Sequence, residues 1–196
     1  MGLFAVIAGV VMGWSGTAPD VSQASIPNRP VVGAVLGTRF EMTEAVMEAD
    51  GRSATYSQDL GSDEIRPYKF RIRDHGPGRA DRTIYFRINA DWDQRLDGKT
   101  LTWKPSAFSS PEDLKQKLMH LGAVRFPRGI VKVTVSTLPA GGGTASSVDF
   151  REQYSVRLEF GKVKDGTLPG KVILALPDTK KSWIAGTFRA EYRVEN

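Results

Sequence analysis

Two stretches of alternating residues bring cations and an aromatic ring to one surface. In Tyr68-Lys69-Phe70-Arg71-Ile72-Arg73, aromatic and aliphatic residues alternate with Lys69, Arg71 and Arg73. In Arg82–Ala90, Ile84, Phe86 and Ile88 alternate with Thr83, Tyr85 and Arg87. Side chains of a strand point to opposite faces with a period of two, so each stretch has an inner apolar face and an outer polar one. The turn Asp74-His75-Gly76-Pro77-Gly78 between them makes a hairpin. Its outer face then carries Lys69, Arg71, Arg73 and Arg87 with Tyr85 among them, a set of donors suited to phosphate, sulfate or uronate groups. The same cations also do the ordinary work of keeping a sheet face soluble and unpaired. Trp92 and Trp103, with Trp183, offer flat rings for stacking on a sugar, or equally apolar mass for a core.

Other chemistries find fewer of the residues they need. The chain has no Cys and 2 His, which removes disulfides, thiol nucleophiles and the four N or S ligands of a structural zinc. Asp91-Trp92-Asp93 followed by Asp97-Gly98 approaches a calcium loop. However, Arg95 occupies a ligand position and no bidentate Glu closes the loop, so turn chemistry accounts for the same residues. No metal or cofactor is expected. There is no G-x-S-x-G elbow, Gly13-Trp14-Ser15-Gly16 falling within the expected signal peptide, and neighbouring Asp74 and His75 would point apart on a strand end. Gly141-Gly142-Gly143 lacks the Walker lysine of a phosphate cradle. A pair of carboxylates could still meet in the folded chain, so a secreted hydrolase such as a glycoside hydrolase stands as the alternative function.

Elements that would position these residues follow from the rest of the chain. Leu3–Trp14 is an uninterrupted apolar run of signal-peptide length, short of the roughly 20 residues of a membrane-spanning helix. Ser22-Gln23-Ala24 carries the small residues a signal peptidase reads. The expectation is therefore a signal peptide over residues 1–24 and an exported mature chain from Ser25, without a transmembrane span. Residues 25–33, with Pro27 and Pro30, read as a linker, and 34–196 as one domain. The net charge of +5 is mildly basic and does not make a specific nucleic-acid binder.

Ala34–Met47 reads as a long strand, Ala54–Gln58 as a short one, and Leu101–Trp103 and Ile130–Leu138 as two more. Ala140–Ser147 reads as a loop. Tyr154–Val163, Lys171–Leu176 and Trp183–Val194 form a meander joined by turns containing Asp165-Gly166 and Pro177-Asp178. One helix is expected at Pro111–Leu121, with Ser110 as N-cap and Gly122 as stop. Roughly eight or nine strands with regular turns and one short helix predict an all-β fold, an antiparallel β-sandwich or, second, an open barrel. The expected function is that of an exported binding or structural module of the cell envelope or extracellular space. Its expected partner is a polysaccharide or other polyanion, with a protein partner also open.

Overall fold

The computed structural model of the chain describes residues 18–49, 53–57, 61–104, 128–151 and 153–193. The apolar run at the N-terminus and the helix expected at Pro111–Leu121 lie outside the described residues. The fold is all-β: twelve strands are described, joined in one sheet, and no helix occurs among the described residues.

The path through the sheet begins at β7 (Thr100–Trp103) and runs through β10 (Ser155–Phe160), β11 (Thr167–Ala175) and β12 (Trp183–Arg193). It continues through β3 (Glu44–Ala49), β5 (Gly61–Asp74), β6 (Asp81–Asp91), β8 (Gly129–Leu138) and β9 (Ser146–Phe150). Off this path, β1 (Val32–Val35) pairs with β2 (Thr38–Glu41) and with β12, and β4 (Ser53–Ser57) pairs with β5. Neighbouring strands are antiparallel except β12 and β3.

The sheet curls into a half-barrel, the open-barrel form of the expected architecture. Phe70 on β5 meets Phe188 on β12 at 4.7 Å and Phe160 on β10 at 5.8 Å, across strands that are not neighbours in the sheet. Only strong curvature brings those strands together. Phe86 stacks on Phe70 at 5.5 Å and Phe160 lies edge-on to Phe188 at 6.0 Å, so four rings fill the middle of the interior. On the far side, the buried Tyr154 hydroxyl donates to the Ile130 carbonyl at 3.1 Å, tying β10 to β8. Burial pushes the Tyr154 phenol well above its ordinary pKa, so it stays a donor.

The expected hairpin of β5 and β6 forms, with Lys69 opposite Arg87 and Phe70 opposite Phe86. The meander is also present, and Asp165 and Gly166 take φ of 50° and 68°, the two positive values a two-residue hairpin turn requires. Three readings change. The stretch read as one strand from Ala34 to Met47 is three, because Leu36 and Gly37 turn the chain with φ of 51° and 80°. Alternation through β8 would put Val131 on one face with Val133 and Val135, but the register shifts opposite Arg87 and Ile88, so Ile130 faces inward with Val133 and Val135 while Val131 takes up the bulge. Ser146–Phe150, whose first residues were read as loop, forms the edge strand β9.

Residues 18–31 run over the outside of the sheet. Arg157 donates to the carbonyls of Ser22 and Ala24 at 2.6 and 2.7 Å, and Val21 N–H donates to Ser155 Oγ at 2.9 Å. Ala18, Val21 and Ile26 cover Ile173, Ala175 and Ala185, with Trp183 packed beside them. Further on, Thr187 bonds Arg29 and Val31 through its backbone, and Gly186 makes the approach possible. A side chain there would place Cβ 2.6 Å from the Arg29 carbonyl, at a φ of 147° that favours glycine.

Candidate functional site

Alternation on β3, β5, β6, β8 and β9 fixes what the outer face of that half of the sheet displays. Register places Glu48, Lys69, Arg87 and Lys132 in one row across β3, β5, β6 and β8. The next row holds Val46, Arg71, Tyr85, Thr134 and Asp149, and the one beyond it Glu44, Arg73, Thr83, Ser136 and Ser147. The expected cations and Tyr85 therefore share one face.

They differ in what surrounds them. Arg73 is clamped by Asp81, its Nε 2.9 Å from both carboxylate oxygens, and lies 3.5 Å from Glu44. That hydrogen bonding holds Asp81 below the usual carboxylate range and raises the guanidinium. Arg71 lies 3.3 Å from Glu44 and 3.8 Å from Glu48. Both arginines are thus neutralised by acids from neighbouring strands. Lys69 and Arg87 are exposed and stand directly opposite each other, with Glu48 on the other side of Lys69 and Lys132 on the other side of Arg87. Strands are about 4.8 Å apart, so three cationic side chains rise side by side from a strip roughly 10 Å wide. Asp149 lies 3.1 Å from Lys132 and is held in its charged form first by the Thr134 hydroxyl and then by Lys132. Like charges directly opposite on a sheet repel. Lys132 was missed as a site residue because its neighbourhood depends on β6 and β8 pairing across some forty positions of sequence.

The tryptophans do not form a common platform. Trp103 is half-buried, packs against the main core and stacks on Tyr154 at 5.7 Å with planes 20° apart. Trp92 is half-buried in the turn after β6, with the Arg66 guanidinium 4.6 Å over its ring. Trp183 packs on the N-terminal segment.

Asp74 and His75 point apart as expected. Asp74 turns inward and meets Arg82 at 3.0 Å, both side chains almost wholly buried. The His75 Nδ1 lies 2.7 Å from the Thr43 hydroxyl. Of the acids in the calcium-like loop, Asp91 pairs with Arg128 at 2.6 Å and Asp97 with Arg95 at 3.1 Å. Among the described residues no three His, Asp or Glu gather as a metal would need. Nor, among these residues, is any helix long and apolar enough to cross a membrane. No family model, curated protein or solved structure matches the chain.

Proposed function

We propose that the chain is an exported, non-catalytic binding module for an acidic polymer, engaged by the row Lys69, Arg87 and Lys132. The observation that carries this reading is the placement of three cations on adjacent strands, directly opposite one another. A polyanion laid across the strands would meet all three side chains along one line. Arg71 and Arg73 support the face from within their ion pairs. Binding is expected to polygalacturonate and to weaken steeply as salt rises, with neutral dextran not retained. Affinity electrophoresis in gels containing each polymer, at low and high salt, reads both. Retention by dextran, insensitive to salt and lost in Trp92→Ala, would instead indicate stacking. Failure to bind either polymer would remove the polysaccharide reading.

Export rests on the apolar run Leu3–Trp14 and the small residues of Ser22-Gln23-Ala24. The mass of the protein recovered from its native host should correspond to a chain beginning at Ser25. Residues 18–24 have a folded position on the sheet, where Arg157 grips two of their carbonyls. A mature protein that retains them would contradict processing at Ser25.

A further inference from the structure

A groove of about 500 Å³ lies on the other half of the sheet, along β10, β11 and β12. Its polar lining is Asn28, Glu159, Lys171, Thr187 and Arg189. Lys171 sits between Glu159 and Thr187 in register, and Arg189 lies two residues along from Thr187, opposite Pro169. That diagonal brings Lys171 and Arg189 within about 7–8 Å of each other at the backbone. The charges do not cancel within the groove. Glu159 already has a counterion, the Arg157 Nε at 3.0 Å, whereas neither Lys171 nor Arg189 has an ion-pair or hydrogen-bond partner among the described residues. Gly161 and Pro169 add lining without polar side chains, the Gly161 amide being bonded to the Pro169 carbonyl at 2.8 Å.

We infer that this groove is a second binding site, for one or two acidic sugar units. The carboxylate of a uronate would lie between Lys171 and Arg189, in the one part of the groove with uncompensated positive charge. The carbon face of the sugar ring would rest on Gly161 and Pro169. Glu159 would accept from ring hydroxyls, and Asn28 and Thr187 would donate to or accept from them. The volume falls in the range of small-ligand sites. This site is separate from the row on β5, β6 and β8, shares no residue with it and does not depend on that row binding anything.

Isothermal titration calorimetry of the full chain with digalacturonate, and with its neutral counterpart digalactose, tests the assignment. Digalacturonate should bind in the millimolar range or tighter, and digalactose should bind at least tenfold more weakly. Lys171→Gln and Arg189→Gln should each weaken digalacturonate binding tenfold or more, with thermal melts unchanged. The exposed Lys180→Gln variant, which lies in neither site, should bind it within twofold of wild type. Undetectable digalacturonate binding, equal binding of digalactose, or groove variants that bind like wild type would each overturn the proposal. Loss of binding in the Lys69→Gln/Arg87→Gln variant alone would also overturn it, because the ligand would then lie on the row.

Discussion

Phe70→Ala is expected to lower folding stability by about 3–5 kcal/mol, and Phe160→Ala and Phe188→Ala by similar amounts. Phe70 is wholly buried and touches Phe86, Phe160 and Phe188, so its removal leaves a void bordered by four strands. The rings share one another's contacts, and a Phe70→Ala/Phe188→Ala double variant should therefore depart from the sum of the two singles. Urea melts read all of these, with the exposed Lys180→Ala as a control expected within about 0.5 kcal/mol of wild type. A Phe70→Ala protein as stable as that control would mean that the sheet does not curl around these rings.

The buried ion pair of Asp74 and Arg82 should produce an effect of comparable size for a different reason. Both side chains lie on the inner face at the end of β5 and β6, at 1% and 7% exposure. Arg79 adds a longer contact to Asp74 at 3.5 Å. The Nε and Nη1 of Arg82 and the hydroxyl of neighbouring Thr137 are buried without a hydrogen-bond partner. Asp74→Ala removes the counterion and leaves a cation in a dry setting already short of acceptors, which should cost about 3–5 kcal/mol. Replacing both partners, as Asp74→Leu/Arg82→Met, should recover most of that loss, since two apolar side chains leave no charge to compensate. Chemical denaturation of the two variants checks this. A double variant as unstable as Asp74→Ala would show that the pair itself stabilises the fold.

Alternation made much of this fold legible in the sequence. Phe160 and Phe188 face one core because the period of two holds without interruption through β10 and β12. The outer faces of β5 and β6 follow from the same rule. Where local geometry broke the period, the sequence signal failed with it. Leu36 carries a left-handed turn that Leu seldom marks, so β1, β2 and β3 merged into one strand. The bulge at Val131 moved Ile130 to the inner face. The chain from Ser146 to Asp149 is exposed throughout and resembles loop in composition, although it pairs with β8.

The candidate site was legible to the level of a face and no further. That Lys69, Arg71, Arg73, Tyr85 and Arg87 share a surface follows from parity. Which of them are neutralised depends on Asp81, across the hairpin from Arg73, and on Glu44 and Glu48 from β3, about thirty and twenty positions away in the chain. Lys132 and the groove along β10, β11 and β12 likewise arise from pairing between distant strands. The direction of Asp74 was legible only as opposite to that of His75. Its burial against Arg82 required the extra length of β5 beyond Arg73.

The salt dependence of polygalacturonate binding, compared between wild type and Lys69→Gln/Arg87→Gln, bears most directly on the proposed row. Each neutralised contact on a highly charged polymer contributes a slope of roughly −0.7 to −0.9 in log affinity against log salt. Removing two such contacts should weaken binding at low salt and flatten the slope by roughly 1.5 units, while the thermal melt stays within about a degree of wild type because both side chains lie at the surface. An unchanged affinity and slope in that variant would contradict the assignment of polyanion binding to this face.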